Sequence, residues 1–96
     1  MQQYFVYILA SHRNGTLYTG ITNNLARRID EHRVKSYSSF TSKYMVTELV
    51  HYEAYDLVAE AIRREKDIKA WKRLWKLQLI EKNNPDWKDL SGDLLD

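Results

Sequence analysis

Cysteine is absent from this chain, which excludes a disulfide framework, a thiolate zinc site and a cysteine nucleophile. Glycine occurs only at Gly15, Gly20 and Gly92, too sparsely for a phosphate-cradling loop. There is no G-x-S-x-G elbow, and His12, His32 and His51 lack the spacing of zinc ligands. Nucleotide-loop binding, serine hydrolysis and zinc hydrolysis are thereby set aside. No apolar run approaches the roughly eighteen residues of a membrane span. The opening MQQYFVYILA carries no basic stretch and no cleavage site, so it reads as a strand rather than a signal peptide, and the expected address is the cytoplasm.

What is present is one domain's worth of core. The chain has 96 residues, 44% hydrophobic and 29% charged, with three Trp, seven Tyr and two Phe to carry the packing. We expect a single domain over residues 1–90 and a polar, acidic tail over 91–96. The net charge of +2 hides an uneven distribution. Residues 61–82 hold eight Lys/Arg against three Asp/Glu, residues 27–43 hold five against two, and residues 83–96 hold one against four. Two basic stretches suit a polyanionic partner, and they equally suit helix faces solvated by Lys and Arg.

The run Tyr4–Leu9 is β-branched and aromatic, as expected for a buried strand. Asn14-Gly15 signals a hairpin with a two-residue turn, and Thr16–Gly20 is the return strand. Thr22, Asn23 and Asn24 offer caps for a helix over about 24–33. Lys35–Lys43 reads as a loop and Val46–Glu53 as a third strand. Asp56 is a candidate cap for a helix over 57–70, and a further helix runs over about 72–81 until Asn83-Asn84-Pro85 stops it. The order ββαβαα predicts an α+β domain with a small, mainly antiparallel three-stranded sheet flanked by helices. Trp71, Trp75 and Trp87 are assigned to the core, with an exposed dimer patch as the alternative.

Three places stand out. In a two-residue hairpin Tyr18 faces Ser11, which shares a face with Leu9 and Tyr7, so both phenols lie on one side. Any even loop length preserves this. They are either core tyrosines or part of a site. In the first helix Leu25 and Ile29 define the buried stripe, Arg28 and His32 flank it, and Arg27 points to solvent. Arg28 and His32 make either an anion site or a margin of the core. In the second helix Val58, Ala61, Ile62 and Ile68 form an apolar stripe with Glu65 at its centre. A carboxylate there needs an ion-pair partner, such as Arg28, or a metal.

Together these positions resemble the GIY-YIG nuclease domain. The first motif ends in Phe5-Val6-Tyr7, with Phe5 and Val6 in place of the family's Gly and Ile. Tyr18-Thr19-Gly20 follows, then Arg28 and His32 in the next helix and Glu65 in a later one. The stretches Gly15–Thr22 and Arg63–Lys69 are similar to the small stand-alone bacterial members, and the resemblance covers about Tyr4 to Leu90. Ile21 stands where some relatives have a lysine, and the family's late asparagine has no matching motif here, Asn83 and Asn84 lying near its place with loose spacing around Pro85. No additional DNA-binding domain lies within these residues.

The resemblance implies a metal-dependent endonuclease that hydrolyses phosphodiesters of DNA, in repair or recombination. Glu65 would hold one Mg²⁺ or Mn²⁺, Arg28 would stabilise charge on phosphorus, Tyr7 or His32 would act as base, and Tyr18 would support by hydrogen bonding. Lys69, Lys72, Arg73, Lys76 and Asn84 would hold nucleic acid. The chain is expected to work as a monomer, away from membranes, with a protein partner supplying specificity. The alternative is a nucleic-acid-binding module of the same fold with weak or no cleavage, recruited by a partner.

Overall fold

The computed structural model describes residues 2–34 and 44–94; the stretch expected as a loop at 35–43 lies outside them. The element order is β1 (Tyr4–Ala10), β2 (Leu17–Thr22), α1 (Leu25–Arg33), β3 (Glu48–Tyr55), α2 (Val58–Ala70) and α3 (Arg73–Asn83). A 3₁₀ turn at Leu90–Leu94 follows. The strands form one antiparallel sheet in the order β2-β1-β3. The expected α+β class and element order hold.

The hairpin differs from expectation in register. Leu9, not Ser11, pairs with Tyr18. The loop spans His12–Gly15, closed by Ser11 N–H to Thr16 O at 3.0 Å and Gly15 N–H to His12 O at 2.9 Å. Asn14 takes the left-handed conformation at φ 59°, a role asparagine tolerates through its short polar side chain. The two extra residues keep the loop length even, so Tyr7, Leu9 and Tyr18 still share a face.

β1 is buried along nearly its whole length, and alternate residues feed two cores. On one face Tyr7 and Leu9 pack with Leu25 and Ile29 of α1 and with Val46 and Leu49. On the other, Val6, Ile8 and Ala10 pack with Ala61 and Ile68 of α2, Ile80 of α3 and Trp87. The sheet is thus a central layer with α1 on one side and α2 and α3 on the other.

The helix starts divide. Asn24 caps α1, its side chain accepting the Arg27 N–H at 3.1 Å. Asp56 does not cap α2: Leu57 is the flanking residue, and no side-chain cap bond is made. The expected stripe on α2 is narrower than supposed, because Val58 and Ile62 are exposed and only Ala61 and Ile68 are buried. The strand expected from Val46 begins at Glu48.

The segment after α3 is fastened along the outer edge of β3. Asn84 Nδ2 donates to Val50 O at 3.0 Å and to Lys88 O at 2.9 Å, and Asn84 Oδ1 accepts the Lys88 N–H at 3.0 Å. Asp89 Oδ1 accepts the Leu49 N–H at 3.3 Å. Arg33 at the end of α1 donates to Thr47 O, Asp89 Oδ2 and Ser91 Oγ. Leu90 and Leu94 then pack on the core beneath α1. A sheet edge covered in this way offers no template to another strand. The opposite edge is β2, with no strand on its outer side among the described residues.

Candidate active site

α1 places its side chains as the helical periodicity predicts. Leu25, Ile29 and His32 are buried. The Arg27 side chain is 65% exposed, whereas that of Arg28 is 20% exposed. Arg28 is held in place from two sides: Nε donates to Glu31 Oε1 at 3.1 Å, and Nη1 reaches the Ile21 carbonyl of β2 at 3.4 Å. The guanidinium therefore lies beside the open edge strand.

One turn further on, His32 closes over the two tyrosines. The Tyr7 hydroxyl and His32 Nε2 share a hydrogen bond of 3.0 Å, and both residues are fully buried. Ring centroids are 5.9 Å apart for Tyr7 and His32, 5.2 Å for Tyr18 and His32, and 6.3 Å for Tyr7 and Tyr18. The first two are edge-on contacts, a favoured aromatic arrangement. Burial, and then the positive charge of Arg28, press the His32 pKa down to about 4, with Glu31 opposing. His32 is therefore neutral at physiological pH, with one ring nitrogen a donor and the other an acceptor.

Gly20 completes the cluster, a role the sequence reading missed. A Cβ at this position would lie 2.5 Å from Tyr7 Oη and 2.6 Å from Cζ. The phenol rests against bare backbone, so only glycine fits opposite Tyr7 in the register. The signal was available: a glycine within a strand marks a close approach.

Glu65 is placed differently from expectation. Its side chain is only 14% exposed, as a carboxylate in an apolar stripe should be, but its partner is Lys69 at 2.7 Å rather than Arg28. It stands on α2, which covers the sheet face opposite Tyr7 and Tyr18. The alternation of β1 sets this division: the even-numbered Val6 and Ile8 meet α2, and the odd-numbered Tyr7 and Leu9 meet α1. The donor set is compatible with a hydrated Mg²⁺, which keeps most of its waters and needs few protein oxygens. Among the described residues no group of three or more His, Asp or Glu could form an all-protein cage.

The remaining expected contacts have separate fates. Arg73 Nη2 donates to the Asn14 and Gly15 carbonyls, at 2.7 Å each, and so clamps the hairpin loop. The Lys72 ammonium lies 5.1 Å from the Trp75 ring centroid. Lys76 is half-buried. Asn84, expected at the nucleic-acid surface, is buried and its amide is engaged with backbone. Of the tryptophans, Trp87 is core, Trp71 is partly buried, and Trp75 is 47% exposed.

On the α2 side of the sheet a second polar cluster went unread in the sequence. Glu53 accepts from His51 Nε2 at 2.7 Å, Tyr55 Oη at 2.7 Å, Arg64 Nε at 2.8 Å and Arg64 Nη2 at 3.0 Å. Burial pushes the Glu53 carboxyl up, but the bonds from His51, Arg64 and Tyr55 outweigh it and hold it far below its usual range. Burial and the Glu53 bond push Tyr55 up to about 12. Period two along β3 puts His51, Glu53 and Tyr55 on one face, which was the signal to read.

The model of the GIY-YIG catalytic domain matches residues 3–78, and the chain belongs to that family. Its relatives are small proteins of its own length. A UPF0213 protein of Syntrophus aciditrophicus is 39% identical over 84 residues, which is 86% of this chain and 95% of that protein. One from Natronomonas pharaonis is 39% identical over 77 residues, covering 80% and 89%. The solution structure of a UPF0213 protein from Bacillus halodurans superposes with a TM-score of 0.58 at 30% identity, covering 91% of this chain and 92% of that one. Membership in this family implies a nuclease domain in general terms. No helix among the described residues is long and apolar enough to cross a membrane.

Proposed function

We propose that this chain is a divalent-metal-dependent endonuclease that hydrolyses phosphodiester bonds in DNA, working as a cytoplasmic monomer with a partner supplying specificity. The observation that carries the reading is the buried Tyr7–His32 hydrogen bond beside Arg28. In the tautomer with the ring proton on Nδ1, His32 Nε2 accepts from Tyr7. The pair can then take the proton of an attacking water: water passes a proton to the Tyr7 oxygen while the Tyr7 proton moves to Nε2. The hydroxide forms a bond to phosphorus, and the bond from phosphorus to the departing sugar oxygen breaks.

Arg28 has two roles in this scheme. Its guanidinium offers a rigid fork to the phosphate, whose charge grows in the transition state. A phosphate bound there also offsets the positive charge that helps depress His32, so the base strengthens when substrate arrives. Tyr18, half-buried beside the ring of His32, orients the phosphate by hydrogen bonding. Because β2 is an edge strand with α1 over one face and α2 over the other, Arg28 and Glu65 would approach a substrate from the two sides of that edge. A divalent ion held by Glu65 would supply Lewis-acid stabilisation of the departing oxygen.

The Lys69–Glu65 ion pair favours the second reading, a binding module in which that carboxylate is structural. Cleavage of branched, nicked, single-stranded and duplex DNA with Mg²⁺ or Mn²⁺ separates the two. The nuclease reading expects metal-dependent cleavage by the wild type and none by Glu65→Gln, with DNA affinity kept within a few-fold. DNA binding without cleavage on any substrate, unchanged in Glu65→Gln, replaces it with the binding module.

A further inference from the structure

Trp75 sits in the first turn of α3 and remains 47% exposed, next to Leu74 at 55%. An exposed tryptophan is costly, and this one is also held in a fixed pose. Its ring meets that of Trp71 edge-on, with centroids 6.2 Å apart. The Arg64 guanidinium covers Trp71 at 5.1 Å and is itself clamped by Glu53. Lys72 approaches Trp75 at 5.1 Å. Two rings between two cations thus run from the partly buried Glu53 carboxylate to the surface, and they order Trp75 before anything binds. Such ordering lowers the entropic cost of association.

The surroundings select the partner. Within residues 72–83 the charges are Lys72, Arg73, Lys76 and Lys82 against Glu81 alone, and Glu81 accepts the Trp87 indole N–H at 2.7 Å. Helical spacing puts Trp75, Gln78 and Lys82 on one face, and all three are exposed. Lysine is depleted from protein–protein interfaces, so a second copy or an apolar protein is a poor match. An exposed ring with Lys72 over one face and Lys82 two turns along the same side of the helix matches a strand of unpaired bases, which offers flat π-faces at the spacing of its phosphates.

We propose that Trp75 is a stacking platform for an unpaired base of single-stranded DNA, with Lys72 and Lys82 holding the flanking phosphates. The inference rests on the nucleic-acid reading above and deepens it by naming the form of substrate. Arg73 ties the start of α3 to the Asn14–Gly15 turn, and β2 leads from that turn to Tyr18. A strand stacked on Trp75 therefore starts at the hairpin end of the sheet, where Tyr18 lies.

The test is fluorescence anisotropy of the full chain with labelled oligothymidylate and with a duplex of matched length, over a salt series. Trp75→Ala weakens single-strand binding by about tenfold, the loss of one stacked base, and leaves duplex binding unchanged. Its salt slope stays at the wild-type value because no cation is removed, whereas Lys72→Ala flattens the slope by roughly one phosphate contact. Trp75→Phe restores most of the affinity, and thermal melting confirms that each variant is folded.

Several results would overturn the proposal: no single-strand binding by the wild type, equal binding by Trp75→Ala, or equal losses on single strand and duplex. Tighter binding of oligouridylate than of oligothymidylate overturns the DNA assignment. A concentration-dependent dimer in sedimentation that Trp75→Ala dissolves, with DNA binding intact, assigns the patch to a second copy instead. The two readings fail separately. Trp75-dependent binding without cleavage sinks the nuclease and keeps the platform, and cleavage with Trp75-independent binding does the reverse.

Discussion

The two faces of the sheet carry two polar clusters of opposite design. Beneath α2, Glu53 is a carboxylate whose oxygens receive four hydrogen bonds from His51, Tyr55 and Arg64. Its charge is compensated in place, and the cluster clamps α2 to β3. Beneath α1, a neutral His32 and the Tyr7 phenol share a hydrogen bond beside the Arg28 cation. Glu31 pairs with Arg28. The compensated charge holds elements together, whereas on the proposed function the neutral base beside a cation would serve a phosphate.

The largest effect that would break this comparison is expected at Arg28. Arg28→Ala should lower DNA cleavage by on the order of a thousandfold, the scale of an oriented transition-state arginine, while the protein still melts cooperatively. Measured single-turnover rates near wild type would place the chemistry elsewhere. Next comes Gly20→Ala. The added methyl must displace the Tyr7 phenol, and misplacement of a reacting group by about 1 Å costs about a hundredfold. The same rate assay, paired with a crystal structure showing the Tyr7–His32 bond lengthened, checks it.

Glu53→Gln addresses the other face. Loss of a partly buried, compensated charge should destabilise the fold by about 2 kcal/mol, read by urea denaturation, with the cleavage rate per folded molecule kept within a few-fold. The smallest effect is a separation of pH windows. The His32 pKa lies near 4 when folded and near 6.5 when unfolded, so the unfolded chain takes up its proton first as pH falls. Stability is then full above pH 6.5 and declines toward pH 4, by at most about 1.4 kcal/mol per unit. Glu53 is depressed from 4.5, so its contribution is present above that value and lost below it. Melting from pH 7 to 3 should show His32→Gln flattening the upper window and Glu53→Gln the lower.

Much of the α1 face was legible in the sequence, because it depends on local rules. Asn24 capped as its side chain allows, helical spacing separated Arg27 from Arg28, and strand parity kept Tyr7 and Tyr18 together despite the longer loop. The α2 side was less legible, because tertiary contact decides it. Val58 and Ile62 are apolar but unopposed, and Trp75 is aromatic but set outward by Trp71. Glu65 took its neighbour Lys69 one turn away instead of a distant arginine. The alternation that sends Tyr7 and Val6 to opposite faces was present in the sequence, yet which helix covers which face is set by the packing of the whole chain.

The assignment at stake is that proton transfer belongs to the Tyr7–His32 pair and that the Glu53 cluster is support. Its most direct test is the cleavage rate per folded molecule of Tyr7→Phe beside Glu53→Gln, with urea denaturation of both. The account predicts that Tyr7→Phe loses on the order of a hundredfold in rate, as removal of a proton-transferring group does, while Glu53→Gln loses stability and keeps its rate. A Tyr7→Phe protein that cleaves at the wild-type rate, beside a Glu53→Gln protein that is stable and inactive, would contradict it.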